Sequence, residues 1–453
     1  MNSRRRDLLA ACALAAAPLA GCLGDDAPSN GTDTDDRTPE PSDGADDRTP
    51  SEPVDPDVDP EELAELVFGN TRFAFDLLDW LVDEEGGNLV VSPYSISIAL
   101  AMTYVGARGE TAEEMAETLR FTLEDETHEA FAALARELAD REEEGEDPQA
   151  DDGEDDELSV TLRVANALWG QKGYPFRDGF LYETEEYYGA GLTEMDFEGD
   201  PDGSREEINA WVEARTEELI EELLPEGSIG ASTVLVLTNA LYFRGDWATP
   251  FDGDETMDGE FATLDGDIVD VPLMSHSETE SFEYVDLEDA QAIELPYVGG
   301  DLAMTLLVPD EDEFDSFEAE FTPDRLQEIT EALEPTPGEF AMPKFEHGTE
   351  VSLPEALSGL GMPSAFGGDA DFSGMVDGGG LSIDEVIHES VVAVDEEGTE
   401  AAAATAVEMV DSGPPEPEFD LVVDRPFLYL IRDRVTETAL FVGRIVDAGE
   451  AQG

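Results

Sequence analysis

Cysteine is almost absent from this chain of 453 residues. The only two, Cys12 and Cys22, lie close to the amino terminus. Everything after residue 22 therefore lacks an internal disulfide, a thiol nucleophile and a cysteine metal site. Stability has to come from packing, and a 41% share of hydrophobic residues is ample for a large core.

Basic side chains are also scarce. The chain has 22 Lys and Arg against 112 Asp and Glu, a net charge of -90, and Lys172 and Lys344 are its only lysines. This charge disfavours binding to nucleic acid or to an anionic membrane surface. Periodic apolar runs continue through most of the sequence, so the acidic groups are expected to cover a folded surface. Because molar salt screens repulsion over about 3 Å, the composition predicts a salt-loving source; an acidic mesophilic protein is the alternative.

Histidine is rare too, and the usual signatures of catalysis are missing. No two histidines have the spacing of metal ligands on one helix, and no serine has the flanking glycines of a nucleophile elbow. The sequence therefore predicts no enzyme, no metal site and no cofactor, with a triad assembled from distant residues as the alternative. The four histidines are His128, His276, His347 and His388.

The amino terminus predicts export. Arg4, Arg5 and Arg6 precede an apolar run at residues 8–20 that is too short to span a bilayer as a mature helix. Arg5 and Arg6 fit a twin-arginine signal, and the letters LAGC at 19–22 fit a lipobox in which Cys22 is lipidated. We therefore predict a signal at 1–21 and a protein that is lipid-anchored on the outer face of the membrane or secreted. The anchor would be its only membrane contact. An ordinary secretory signal is the alternative.

Two polar stretches flank or interrupt the patterned chain. Residues 22–60 are rich in Asp, Thr, Pro and Ser without apolar periodicity, which predicts an acidic disordered tether. Residues 142–157 read EEEGEDPQADDGEDDE and predict a solvated surface insertion rather than a domain boundary. A calcium site in that run is a weak alternative, because the spacing of a calcium loop is missing.

The remaining pattern is typical of an α+β protein. Helical periodicity occurs at 60–81, 95–106, 112–119, 128–141 and 205–223. Strands follow at 158–169, 234–243, 292–297, 302–308, 340–345, 386–394, 419–423, 427–432 and 439–446. Helices first and strands later, without regular alternation, predict sheets that are largely antiparallel or mixed.

Residues 391–417 have the pattern of both a strand and a loop. From Thr399 to Met409 the odd positions carry small or apolar residues, whereas Glu400 and Glu408 share the even parity. The alanines have poor strand propensity, and SGPP at 412–415 is typical of a flexible end. A short amphipathic helix or an alanine-rich linker is the alternative for this segment alone.

Several distant motifs, in order, resemble the serpins. They are NLVVSPYSISIALAMTYVGARGETAEEMAET at 88–118, LTNALYFRGDWATPF at 237–251, IELPYVGGDLAMTLLVP at 293–309, the motifs MPKF, LGM and DFSGM within 342–375, the segment from 391, and DRPFLYLIRDRVTETALFVGRIV at 424–446. The resemblance covers 61–449. It implies a helical amino-terminal half packed on a large central mixed sheet, additional antiparallel sheets, and an exposed reactive-centre loop at about 396–418. With the signal and the acidity, it predicts a haloarchaeal lipoprotein form of the family.

What the resemblance implies is a monomeric inhibitor that traps its target protease as a suicide substrate. The protease cleaves the loop, an acyl-enzyme forms, and the loop inserts into the central sheet. Small residues at the hinge fit insertion, because a charge buried there would cost several kcal/mol. A non-inhibitory serpin or a tethered solute-binding lipoprotein is the alternative. The hinge comprises Glu396, Glu397, Gly398, Thr399, Glu400, Ala401, Ala402, Ala403 and Ala404.

Family spacing implies a scissile bond between Ser412 and Gly413, with Asp411 and Met409 as alternative bait residues. No Arg or Lys occurs there, which argues against trypsin-like targets. Subtilisin-like or elastase-like serine proteases accept small or apolar residues and are the predicted partners; cysteine proteases remain an alternative.

The resemblance also implies a set of residues that control opening of the sheet. Polar side chains that exchange partners could stabilise both the closed and the open sheet. A static buried network is the alternative. The set is Ser92, Ser95, Asn239 and His388, with Trp247 under the place where the loop enters the sheet.

Overall fold

A computed structural model describes residues 58–145, 160–216, 220, 222–377, 380–383, 386–399 and 416–452. The predicted signal, nearly all of the tether and most of the acidic insertion lie outside these ranges, so they stay predictions. The same holds for part of the hinge and for the loop. The site residues concerned are Cys22, Glu400, Ala401, Ala402, Ala403, Ala404, Met409, Asp411, Ser412 and Gly413.

The α-helices of the described ranges are concentrated in the first half. They are α1 Pro60–Glu84, α2 Pro93–Tyr104, α3 Gly109–Thr118, α4 Thr127–Gly145, α5 Asp178–Tyr188, α6 Pro201–Glu213, α7 Phe314–Glu320, α8 Pro323–Ala332 and α9 Pro354–Leu360. No helix in this part of the chain is long and apolar enough to cross a membrane.

The strands dominate the second half. They are β1 Leu89–Val91, β2 Val160–Gln171, β3 Leu192–Met195, β4 Leu235–Asp246, β5 Met257–Ala262, β6 Ile268–Asp286, β7 Ala290–Pro296, β8 Leu302–Pro309, β9 Glu334–Pro343, β10 Phe345–Ser352, β11 Ile387–Val394, β12 Gly398–Thr399, β13 Phe419–Val422, β14 Phe427–Asp433 and β15 Ala439–Ile445.

Local chemistry accounts for where the helices begin. Asp59 caps α1 by accepting from the backbone N–H of Glu61, the Glu62 side chain returns to the Asp59 N–H, and Pro60 occupies the first turn. Ser92 caps α2 in the same way, through the N–H of Ser95 at 3.3 Å. Nearly all of α2 is buried, as expected for a helix that is apolar on every side.

The strands form three sheets. A nine-stranded sheet has the order β1-β15-β14-β8-β7-β6-β9-β13, with β5 also paired to β6, and its pairs are antiparallel except β9–β13. A four-stranded sheet has the order β12-β4-β2-β3, in which β2 and β3 are parallel. A two-stranded sheet joins β10 to β11. The predicted α+β class with a mixed central sheet and further antiparallel sheets is confirmed.

Helix α6 is shorter than the periodicity predicts. The helical pattern at 205–223 ends at Glu213, and the chain then turns back on itself. The Asn209 amide clamps Leu224, donating to its carbonyl oxygen and accepting from its N–H at 2.9 Å each. Ile220 and Leu223 thereby pack near Trp211 in a small cluster beside the main core. Ile220, Leu223 and Leu224 lie beyond the end of α6 and are buried where the chain returns.

Candidate functional site

The hinge is a tight turn that leads from β11 into β12. The Asp395 carboxylate accepts from the N–H groups of Glu397 and Gly398 at 3.0 and 3.3 Å. The Asp395 N–H donates to the Gly398 carbonyl oxygen at 2.9 Å. An aspartate that bonds the backbone two and three residues ahead is a common stabiliser of turns. The turn sets the direction in which the chain leaves β11.

Trp247 is bonded to this turn through two hydrogen bonds. It is 1% exposed, and its ring stacks on Tyr297 with centroids 4.7 Å apart. Its backbone N–H donates to the carbonyl oxygen of Glu397 at 2.8 Å, and its indole N–H donates to that of Asp395 at 3.0 Å. Both ends of the turn are thus bonded to one rigid, buried residue.

Gly398 lies against the backbone of β4. It is opposite Asp246, and Thr399 is opposite Gly245, in antiparallel pairing. A Cβ at residue 398 would overlap the carbonyl oxygen of Gly245 and approach the Asp246 Cα within 2.6 Å. Only glycine fits there without displacing backbone.

Thr399 is buried beside β4. It is 3% exposed, and its hydroxyl lies 2.9 Å from the Tyr297 hydroxyl. Burial raises the pKa of Tyr297, so the phenol keeps its proton and either group can donate. The chain therefore enters the sheet with an uncharged, hydrogen-bonded side chain.

The outer side of the hinge carries an ion pair. Lys344 Nζ lies 2.8 Å from Glu396 Oε2, and the Thr256 hydroxyl donates to Glu396 Oε1 at 2.8 Å. Burial opposes the charge on Glu396, but the bonds from Lys344 and Thr256 hold the pKa of this carboxyl below its ordinary value. Burial also acts against Lys344, but its bond to Glu396 and the surrounding carboxylates raise its pKa.

We expect Lys344→Met to loosen the hinge in low salt. The Lys344 side chain is 43% exposed, so solvent screening leaves the pair worth about 1 kcal/mol at most. The denaturant midpoint of the variant should fall below that of the parent at about 0.1 M salt and approach it at about 1 M salt. Lys172→Met, at the exposed second lysine, is the matched control. Equal effects of the two substitutions would show that the Lys344–Glu396 pair does not stabilise the hinge.

The four-stranded sheet and the two-stranded sheet together form the central sheet, and within the described residues β4 and β11 are not paired with each other, which leaves an opening between them. β4 pairs with β2 along one edge, and β11 pairs with β10. On the other edge of β4, the backbone partner within the described residues is the two-residue β12. Farther down, the facing edges and α2 line a cavity of about 330 Å³. Its apolar lining includes Ile96, Ala99, Leu100, Leu235, Leu237 and Ile387.

A polar cluster formed by Ser92, His388 and Ser390 lies beside this cavity. His388 Nε2 accepts from the backbone N–H of Ser92 at 3.0 Å and lies 2.8 Å from the Ser390 hydroxyl. Burial lowers the pKa of His388 to about 4. The ring is therefore neutral, and since Nε2 accepts the backbone N–H, its proton is on Nδ1. Ser92 also caps α2, so the histidine links β11 to the start of that helix.

The chain matches the family model "Serpin (serine protease inhibitor)" over residues 68–448. The chain is a serpin.

Similar proteins match this chain over most of their own length. A leukocyte elastase inhibitor from Xenopus laevis is 37% identical over 83% of this serpin and 97% of its own length. Human serpin B4 is 35% identical, with the same coverage. An uncharacterized serpin-like protein of Methanosarcina acetivorans is 36% identical over 84% of this chain and 87% of its own. The family model and the leukocyte elastase inhibitors from Xenopus laevis and Bos taurus confirm the coarser prediction of an endopeptidase inhibitor rather than an enzyme.

Among solved structures, human thyroxine-binding globulin in complex with thyroxine has a similar fold. The TM-score is 0.71 at 28% identity, over 85% of this serpin and 99% of the globulin. That protein is named for binding thyroxine, so a shared fold does not by itself decide how this serpin acts.

The predicted site residues occupy two places in this serpin. Ser92, Ser95 and His388 come together beside the opening, whereas Trp247 lies at the hinge with Glu396, Glu397, Gly398 and Thr399. Asn239 is on β4 opposite Asn166, and only its backbone is described. Their roles in opening the sheet stay predictions. Within the described residues no group of His, Cys, Asp and Glu side chains is arranged to hold a metal ion.

Sequence reasoning missed the groups that hold these residues in place. Lys344 offered a signal, because it is one of two lysines in a chain of 112 acidic residues. Asp395 offered a second signal, because an aspartate three residues before a glycine is typical of a turn. Tyr297 directly follows β7, 102 residues before Thr399, and nothing local to its sequence points to the hinge. Ser390 lies on β11 two residues after His388, so the alternation of a strand places both on one face and could have paired them.

Acid should weaken this serpin through its buried histidines. The folded-state pKa of His388 is about 4 and its ordinary value is 6.5, so the unfolded chain takes up the proton first. The contribution of His388 to the free energy of unfolding is complete above pH 6.5. It is lost as the pH falls toward 4, at about 1.4 kcal/mol per pH unit. His276 and His347 have equally lowered pKa values, by burial.

The His388→Gln variant isolates one of these groups. Its denaturant midpoint should fall less between pH 7 and pH 5 than that of the parent, whatever its value at pH 7. The carboxylates are common to both proteins and cancel in the comparison. Parallel pH profiles would show that His388 is not held neutral in the fold.

Proposed function

We propose that this serpin inhibits serine proteases by trapping them as acyl-enzymes. The protease serine oxygen attacks the carbonyl carbon of the scissile bond, the amide nitrogen leaves with the carboxy-terminal piece, and an ester joins enzyme to inhibitor. The freed loop then extends β12 down the opening and carries the enzyme with it before water can hydrolyse the ester. Inhibition requires insertion to be faster than deacylation.

The opening between β4 and β11 is the observation that carries the proposal. Its two edges flank a cavity. At the hinge end of the opening, Gly398 and Thr399 already pair with β4. Adding residues to an existing pair avoids the cost of nucleating a strand. An unfilled sheet edge also leaves backbone groups that an added strand would pair.

The loop composition supports a target that accepts small or apolar residues. Ser412 and Gly413 are the first candidates for the scissile bond, and no basic residue occurs between 391 and 417. We propose subtilisin-like or elastase-like serine proteases as targets, which fits relatives named as leukocyte elastase inhibitors. Cysteine proteases are the second class to test.

A non-inhibitory serpin is the competing function, since thyroxine-binding globulin has the same fold. In that case a protease would cleave the loop and leave unharmed. A tethered solute-binding lipoprotein receives no support from the comparisons.

The test is incubation of the purified protein with subtilisin and with elastase in molar salt. Denaturing gels should show a band of the summed mass of the two proteins that survives boiling. Mass spectrometry of the released peptide then identifies its first residue and so the scissile bond. Cleavage by both enzymes and by a cysteine protease such as papain, with no such band, would favour the non-inhibitory alternative.

We further propose that this serpin is exported as a lipid-anchored monomer from a halophile. Cys22→Ser should move the protein from the membrane fraction to the medium, because a lost lipid chain removes its hydrophobic anchoring energy. Cys12→Ser, inside the predicted signal, is the control and should leave the distribution unchanged. Retention of the Cys22→Ser protein on membranes would overturn the lipid-anchor prediction.

A further inference from the structure

The cavity between β4, β11 and α2 is lined without charge. Among the described residues around it there is no Asp, Glu, Lys or Arg, although these four types make up 30% of the chain. His388 is the titratable side chain of this described lining, and burial lowers its pKa to about 4, so the ring is neutral at pH 7. A charged ligand would lose its hydration in the cavity and gain no ionic partner. The lining therefore favours uncharged molecules.

Apolar side chains line the cavity from all three elements. Ala99 is partly exposed, although nearly all of α2 is buried. Leu235 and Leu237 of β4 and Ile387 of β11 are partly exposed as well. Covering such apolar area with an apolar ligand is favourable, in proportion to the area removed from water.

The volume of the cavity sets the size of the ligand. The cavity measures about 330 Å³. A cavity of about 150 Å³ is enough for one benzene molecule. The volume here therefore suits a molecule about twice the size of benzene. A ligand site of this kind commonly combines an apolar wall with a few polar groups that fix orientation.

One hydroxyl of the lining supplies such a polar group. Ser228 Oγ is shielded from solvent and has no hydrogen-bond partner within the described part of the chain. The Ser228 backbone N–H donates to the Pro225 carbonyl oxygen at 3.2 Å, which holds the turn while the side chain is free to rotate. Turning this hydroxyl toward the cavity breaks no existing bond, and an oxygen atom of a ligand would satisfy it.

We propose that this cavity binds one small, uncharged apolar molecule that carries a single hydroxyl group, and that the bound molecule slows inhibition. The apolar body of the ligand packs against Ala99, Leu237 and Ile387, and its hydroxyl bonds Ser228. The effect on inhibition rests on the proposed function, because a ligand held between β4 and β11 obstructs the rearrangement of the sheet. Binding also stabilises the uncleaved chain by mass action.

Titration of the intact full chain with 1-naphthol tests the site. The titration is made at pH 7 in about 1 M salt, where attraction or repulsion by the acidic surface is screened. Calorimetry should show one saturable site with a dissociation constant of about 1 mM or tighter. The matched anion, 1-naphthoate, should bind at least about tenfold more weakly. No saturable binding, or equal binding of the anion, overturns the proposal.

Filling the cavity from α2 tests where the ligand lies. Ala99→Leu places a larger side chain in the cavity and should weaken 1-naphthol binding by at least about tenfold. Ala116→Leu is the matched control, because Ala116 is a partly buried alanine of helix α3 outside the described lining. If Ala99→Leu binds 1-naphthol as tightly as Ala116→Leu does, the ligand lies elsewhere and the assignment is overturned.

A second variant tests the polar contact without adding volume. Ser228→Ala should reduce the affinity for 1-naphthol relative to that for naphthalene, which lacks the hydroxyl, by about threefold or more. The affinity for naphthalene itself should stay unchanged. If the ratio of the two affinities is the same in parent and variant, Ser228 does not bond the ligand.

Inhibition assays test the effect on protease trapping. With 1-naphthol at about ten times its dissociation constant, the number of inhibitor molecules consumed per protease should rise by about twofold or more. The same concentration of 1-naphthoate should leave that number unchanged. An unchanged number with 1-naphthol bound overturns the regulatory part. If the parent traps no protease even without 1-naphthol, the proposed function is wrong, and the titration still decides whether the cavity is a binding site.

Discussion

Thr399→Arg is expected to convert this serpin from an inhibitor into a substrate. Thr399 is 3% exposed and is the first residue after the glycine to enter the opening. Burying a guanidinium there, where the threonine hydroxyl contacts the uncharged Tyr297 hydroxyl, would cost several kcal/mol. The uncleaved chain can relieve this cost by withdrawing the two-residue β12 from β4, whereas an inserted strand cannot. Each 1.4 kcal/mol slows a step about tenfold, so insertion should slow by about 100-fold or more. Deacylation would then release most of the protease intact.

The measurement is a titration of active protease against increasing amounts of parent and variant. The parent should inhibit near equal amounts, whereas the variant should be cleaved and leave the enzyme active. Thr399→Ser is the matched control, because it keeps the hydroxyl that faces Tyr297. Undiminished inhibition by Thr399→Arg would refute insertion as the step that traps the protease.

Gly398→Ala should have the second-largest effect, through the backbone. Its added methyl group would overlap the Gly245 carbonyl oxygen, so β12 would have to move away from β4. Overpacking of this kind costs about 1–3 kcal/mol, which predicts a slowing of insertion by about fivefold to 140-fold. The turn bonded to Trp247 should shift too, because Gly398 adjoins Glu397, whose carbonyl oxygen accepts the Trp247 N–H.

Two readouts separate this effect from general destabilisation. The stoichiometry of inhibition should rise, and the tryptophan emission should move to longer wavelength as water reaches Trp247. Gly253→Ala is the control, since a Cβ there meets no atom within 4 Å. If the two alanine variants behave alike in both assays, close approach of Gly398 to β4 is not needed for inhibition.

Much of the fold could be predicted from local pattern and from motif resemblance. The periodicity at 60–81 became α1, extended to Glu84, and the apolar runs near the carboxy terminus became β14 and β15. Such elements bury one continuous apolar surface, and that surface is visible in the sequence. Helix α5 was missed, because its DGFLYETEEYY sequence is mostly polar and tyrosine-rich, and only Phe180, Thr184 and Tyr188 are buried.

The site was predictable where the chemistry is local and unpredictable where it is not. The alternation after Gly398 and the glycine itself pointed to a segment able to join a sheet. The opening could be predicted only from the family resemblance, because it is the absence of pairing between β4 and β11, which lie about 150 residues apart, and strand pairing at that separation leaves no local pattern. The contacts of Tyr297 and Lys344 with the hinge depend on the same long-range arrangement.

The most direct test of the account compares the unfolding of the intact chain with that of the same chain nicked in its loop. If the freed loop fills the opening, about ten added residues pair with both edges, each new hydrogen bond contributing roughly 1 kcal/mol. The thermal midpoint of the nicked protein should then rise by about 10 °C or more, and nicked Thr399→Arg should not show the rise. An unchanged or lower midpoint in the nicked parent would contradict insertion.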